Sequence, residues 1–170
     1  MELPAPSLRW PKSVFLLTAA IFLLRLFTPL PCLADVSVSG TLTANTTWTK
    51  ANKNYLVMGS IVVPPGITLT IEPGVKVKFK GNYFIYVDGT LKAIGTPAEN
   101  IIFTTDIPYW GNIYFRDSST DAAFDTGRNY ADGCTLQYCV VEYAQGPDGA
   151  IKTRNASPFI NFCSSGSGTS

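Results

Sequence analysis

The sequence predicts an all-β protein in which one coil of chain stacks on the next, a solenoid, and three observations carry that prediction. Beyond residue 34 no window holds a helical period, whereas short runs such as Val75-Lys76-Val77-Lys78-Phe79 alternate apolar and polar side chains strictly. Those runs end at glycine or at polar turns. Like residues also recur in the same order: Leu69-Thr70-Ile71 is echoed by Ile85-Tyr86-Val87, and Val75-Lys76-Val77 by Leu91-Lys92-Ala93, both at one constant offset. Later, at a larger offset, Leu136-Gln137-Tyr138-Cys139 is echoed by Ile160-Asn161-Phe162-Cys163. A hairpin sets strands in mirror order, while a coil that stacks in parallel on its predecessor repeats them in the same order.

The chain divides into four parts. Residues 1–34 read as a secretory signal: Arg9 and Lys12 precede Val14–Leu24, a short, uncharged and mostly apolar run, and Cys32-Leu33-Ala34 offers small residues for cleavage. A membrane-spanning helix needs roughly 18 or more apolar residues, and Arg25 interrupts the run before that. Residues 35–54, rich in Thr, Ser and Asn, are expected to lie over the start of the core as a cap, with Trp48 plugging its end. Residues 55–163 hold the regular runs and form the coils. Residues 164–170, Ser-Ser-Gly-Ser-Gly-Thr-Ser, read as a flexible tail.

Two turns announce themselves. Glu72-Pro73-Gly74-Val75 and Pro64-Pro65-Gly66 place proline where its ring-fixed negative φ is wanted and glycine where φ must be positive, the type II pattern. Asp88-Gly89 is ambiguous, because Asp-Gly also closes tight hairpins; the parallel repeats decide against an antiparallel sandwich. The unequal offsets require extra loops in the later coils, at Pro108–Trp110 and Ser118–Gly133.

Composition narrows the chemistry. Thirteen Lys and Arg stand against twelve Asp and Glu in 170 residues, so no global field points to nucleic acid. The chain has no histidine, which removes the usual general base and the commonest zinc ligand, and leaves any serine nucleophile without its ordinary partner. Of four cysteines, Cys134, Cys139 and Cys163 follow the signal, in no metal-binding spacing. Cys139 and Cys163 occupy equivalent places in the later echo and are expected to form a reduced internal ladder.

The segments ITLTIEPGVKVKF, VDGTLKAIGT, NIIFTTD and WGNIYF resemble the N-terminal coils of bacterial secreted right-handed parallel β-helix proteins, the superfamily that includes pectate-lyase-like enzymes. The resemblance runs from about Trp48 to Cys163. It implies three short parallel sheets around an apolar core, in a protein that is secreted, periplasmic or held at the cell surface. It specifies architecture and hardly any activity. Polysaccharide lyases of this fold hold calcium on acidic residues of neighbouring coils, with an Arg or Lys as base. Here Asp106, Asp117, Asp121 and Asp125 lie near Arg116, Arg128, Lys152 and Arg154, but DSSTDAAFD lacks the glycine placement and terminal Glu of a calcium-binding loop. No catalytic residue and no cofactor is assigned; calcium on this loop is the one metal considered.

By alternation Lys76 and Lys78 point outward beside Lys80, and the offset of the first echo would set Lys92 next to Lys76 on the following coil. Such lysines form a solvated face that resists edge pairing, or a cationic strip for a glycan. Tyr86 and Tyr114 fall at outward positions where exposed rings could stack on sugars, while Trp110 reads as a core or corner plug. The candidate glycan-contacting surface is therefore Lys76, Lys78, Lys92, Tyr86 and Tyr114. The expected function is a non-catalytic β-helix module for surface attachment or glycan binding. Its alternatives are a truncated relative of a polysaccharide lyase or glycoside hydrolase of this superfamily, and a structural stub without a ligand. Expected partners are a polysaccharide or cell-envelope glycan and, at the uncovered last coil, another chain.

Overall fold

Alternating strands bury one row of side chains and expose the other, so a chain made of them closes most simply by winding that row inward. The computed structural model describes residues 34–52 and 54–166, and the expected signal segment, save Ala34, lies outside the described residues. Among the described residues every strand pairing but one is parallel, and there is no helix. The chain is a parallel β-solenoid of about five turns, as the alternation and the later echo predict.

Strand β1 (Val36–Thr41) lies parallel along β3 (Tyr55–Val63), from Val36 opposite Tyr55 to Thr41 opposite Val62. Three faces follow. The first stacks β2 (Thr46–Trp48), β4 (Thr68–Ile71), β7 (Thr90–Ile94), β12 (Thr135–Gln137) and β15 (Phe159–Asn161). The second face runs from the first half of β3 through β5 (Lys76–Phe79), β8 (Ile101–Thr105) and β13 (Cys139–Glu142) to β16 (Ser164–Gly166). Ser164–Gly166, in the segment read as a tail, forms the last strand among the described residues. The third runs from the second half of β3 through β6 (Ile85–Val87) and β9 (Ile113–Phe115) to β14 (Ile151–Thr153). β3 crosses, unbroken, a corner that later coils break into two strands.

The register corrects the first, shorter echo. Leu69 pairs with Leu91 and Val77 with Phe103, both farther along the chain than the echo would place them. Ile85–Val87 belong to the third face of the same coil as Leu69–Ile71, not to the coil above. The later echo is a true stacking: Leu136 lies opposite Ile160. The predicted insertion is present between β9 and β12, where β10 (Ala123–Phe124) and β11 (Tyr130–Asp132) form an antiparallel ribbon.

Inward rows from all three faces meet in one core. Val57, Ile61, Leu69, Val77, Phe79, Ile85, Leu91, Phe103, Ile113, Phe115 and Leu136 are all fully buried, and each such side chain contributes about 1.5–3 kcal/mol by leaving water. Trp48 stacks on Tyr55 near the first coil, with ring centroids 4.9 Å apart. Trp110 plugs a corner as expected: it is buried, stacks on Phe79 at 3.8 Å and donates its indole N–H to the Glu142 carbonyl at 2.7 Å.

Both proline-glycine turns take the predicted form. Val75 N–H reaches the Glu72 carbonyl and Ile67 N–H the Pro64 carbonyl, with Gly74 at φ 76° and Gly66 at φ 77°. Asp88-Gly89 closes no hairpin. It turns a corner between faces, and both of its N–H groups donate to the Val63 carbonyl of the coil below.

Candidate functional site

The lysines are separated by the fold and mostly neutralised. Lys76 lies opposite Ile102 and Lys78 opposite Thr104 on the second face. Lys92 lies on the first face, opposite Thr70 and Thr135. Lys76 and Lys92 are therefore not neighbours, because the offset that joined them links strands of different faces. Lys78 and Lys80 both bind Asp106, at 2.9 and 2.7 Å. Their hydrogen bonds, Lys80's before Lys78's, hold the Asp106 carboxyl down to about 2. Lys92 pairs with Asp132 of β11 at 2.6 Å, and that contact is the main reason the Asp132 carboxyl titrates below its usual range. Lys76 alone among these has no carboxylate partner among the described residues.

The tyrosines are brought together. Tyr86 on β6 and Tyr114 on β9 are register partners on the third face, with Ile85, Val87, Ile113 and Phe115 turned into the core on either side. Their rings meet edge to face at 6.2 Å between centroids, and Phe84 lies nearly parallel to Tyr86 at 5.4 Å. Gly111 makes room for Phe84: a Cβ there would sit 2.5 Å from the Phe84 ring. Arg116 lies over Tyr86 at 4.8 Å and Lys152 over Tyr114 at 4.7 Å, both within cation–π range.

These rings form one wall of a groove of about 220 Å³, completed by Asn112, Pro147, Asp148 and Lys152. Pro147 and Asp148 come from the turn of residues 146–149, closed by a hydrogen bond from Gly149 N–H to the Gly146 carbonyl at 3.0 Å. Asp148 binds Lys152 and is the chief reason the lysine holds its proton more tightly than usual. Asn112, which also lines the groove, is only 2% exposed, and its Oδ1 has no hydrogen-bond partner. Tyr86 and Tyr114 were legible from alternation. Phe84 and Asn112 were not, since both lie just ahead of a strand, where alternation carries no information.

Beside this groove, at the ends of the same strands, Asp88, Arg116, Asp117, Ser118 and Arg154 line a second hollow of about 340 Å³. Arg116 binds Asp88, which also accepts from Ser118 Oγ at 3.1 Å. The other loop aspartates have separate tasks. Asp121 accepts the Ser157 N–H at 2.7 Å, and Asp125 accepts the Asn129 N–H at 2.8 Å. Among the described residues no three Cys, Asp or Glu side chains converge as a metal site would require. Cys134, Cys139 and Cys163 are free thiols. Cys139 Sγ lies 3.4 Å from the Gln137 carbonyl, and Cys163 Sγ 3.4 Å from that of Asn161, the same step one coil apart.

A stretch of 53 residues is 38% identical to the protein bark beetle of Drosophila melanogaster; it is 31% of this chain and 2% of the length of that protein. No family profile and no solved structure matches the chain. The geometry itself defines a parallel β-solenoid with an aromatic groove and a neighbouring charged hollow on one face.

Proposed function

We propose that the chain is a non-catalytic carbohydrate-binding module of a secreted or cell-surface β-helix protein, and that Tyr86 and Tyr114 lie at the centre of its binding face. The observation that supports this is the in-register tyrosine pair opening on a groove with polar groups at its margin. Small-ligand sites are concave, mostly apolar and furnished with a few polar groups that fix orientation. Aromatic faces carry partial negative charge and attract the C–H bonds of a sugar ring, which takes the place of the Arg116 and Lys152 side chains now lying over Tyr86 and Tyr114, while its hydroxyls turn to the polar rim. Export rests on the basic, apolar and small-residue order of residues 1–34. The lysines contribute little to the reading, because Lys78 and Lys92 are already paired to aspartates.

The test is binding to a glycan array followed by calorimetry on any ligand found. Tyr86→Ala and Tyr114→Ala are each expected to weaken binding about tenfold, about 1.4 kcal/mol, with the fold intact by circular dichroism. Unchanged binding in the double variant removes the site. Unsaturated or new reducing-end products from acidic or neutral polysaccharides would show catalysis and overturn the non-catalytic reading.

A further inference from the structure

We infer, building on the carbohydrate reading, that the groove is built for an uncharged pyranose and that the Asn112 side-chain amide is its specificity-determining contact. The charges argue first. Asp148 and Lys152 line the groove and bind each other, so neither a carboxylate nor an ammonium group on the ligand meets an unbalanced opposite charge there. The adjoining hollow holds two arginines and two aspartates, again in balance. An acidic sugar would have to compete with Asp148 for Lys152 and lie against that carboxylate once displaced.

Asn112 argues second. Buried polar atoms are nearly always hydrogen-bonded, and an exception calls for a reason. Its Oδ1 is one such exception, on a residue that borders the groove. A side-chain amide offers one acceptor and two donors, the complement of a pair of adjacent sugar hydroxyls. Gly146 lies close against the Nδ2 side of the amide, where a Cβ would sit 2.2 Å from Nδ2. Gly146 N–H in turn bonds to the Gly111 carbonyl, next to Asn112 itself. A ligand hydroxyl reaches Oδ1, which is covered in this structure, by a local shift at the groove's margin. The sugar ring then rests on the wall of Phe84, Tyr86 and Tyr114.

The experiment compares the full chain's binding of neutral gluco-, manno- and xylo-oligosaccharides with its binding of oligogalacturonate and oligomannuronate, at low and high ionic strength. Expected are binding of at least one neutral series, a Kd insensitive to salt, and uronates at least tenfold weaker. Asn112→Leu is expected to weaken neutral-sugar binding tenfold or more while Tm stays level or rises, since the substitution removes an unpartnered buried oxygen. Asn112→Ala supplies the same comparison if the leucine variant does not fold. Preference for uronates, or binding that weakens with salt, overturns this inference and leaves the carbohydrate reading standing. Wild-type affinity in the Asn112 variants, or a fall in their Tm larger than that of Tyr86→Ala, removes the role given to the amide. Failure of every glycan to bind, neutral or acidic, overturns the carbohydrate reading itself.

Discussion

Asp106 shows how individual charges are used here. Its carboxyl, ordinarily near 3.8, is lowered to about 2 by hydrogen bonds from Lys80 and then Lys78. Since the folded value lies below the unfolded one, the contribution to stability is complete above pH 3.8 and is lost as pH falls through about 2. The side chain is 50% exposed, so solvent screening keeps that contribution to roughly 0.2–1 kcal/mol. Replacing both lysines by methionine should return the Asp106 titration, followed by NMR, toward 3.8; a midpoint that stays near 2 would mean that other groups depress it. The stacked cysteines divide a proton in a similar way. The hydrogen bond to Cys163, and after it burial, push the Cys139 thiol up, while the same bond shifts the half-buried Cys163 down. Iodoacetamide at neutral pH should therefore modify Cys163 before Cys134 or Cys139, and Cys139→Ala should slow that reaction several-fold. Equal labelling of all three thiols in the folded protein would remove the pair. The cysteine alignment was legible from LQYC and INFC, whereas the aspartates that neutralise the lysines were not. Asp106 and Asp132 return to Lys78 and Lys92 from turns and ribbons whose paths no alternation records.

Strands and turns were legible to different depths. Glu72-Pro73-Gly74 and Pro64-Pro65-Gly66 dictate their own geometry, so the type II turns followed from local chemistry alone. The neighbour of each strand did not. A coil of this solenoid holds three strands with one alternation pattern, so Leu69-Thr70-Ile71 resembles Ile85-Tyr86-Val87 on another face as much as it resembles Leu91-Lys92-Ala93, on which it stacks. The shorter echo thus joined Lys76 to Lys92 wrongly, and the later one succeeded because LQYC and INFC include their corner. Tyr138 and Phe162 both take positive φ there, 49° and 51°, and their rings stack at 4.7 Å. Glycines at corners allow a sharper test. A Cβ at Gly89 would lie 2.2 Å from the Pro64 carbonyl oxygen and 2.4 Å from that of Ile67, both backbone atoms of the coil below. A Cβ at Gly66 meets nothing within 4 Å and suffers only its φ of 77°. Gly66→Ala should therefore cost about 1–2 kcal/mol, and Gly89→Ala about 3 kcal/mol or more, in urea unfolding. Equal costs would mean that the coils can part at this corner without loss.

Stacked coils make stability a sum of layers and of the interfaces between them. β5, β6 and β7 each pair on both sides, whereas β14, β15 and β16 pair on one side only among the described strands. Side chains follow the same gradient: Phe79 and Phe103 are fully buried in the middle coils, while Ile160 is 42% and Phe162 66% exposed on the last. Opening the last described coil breaks one of the described interfaces, and opening a middle coil breaks two and empties the core. Amides of β15 and β16 should therefore exchange with solvent through a local opening at least a thousandfold faster than those of Val77, Leu91 and Ile113, about 4 kcal/mol lower in free energy. Phe79→Ala should cost about 3–5 kcal/mol and speed exchange in every coil, whereas Ile160→Ala should change only the last. Protection of β15 and β16 equal to that of the middle coils would show that a further layer covers the final edge. If that protection falls on dilution, the layer is another chain, because an edge covered from within one molecule opens at a rate independent of concentration.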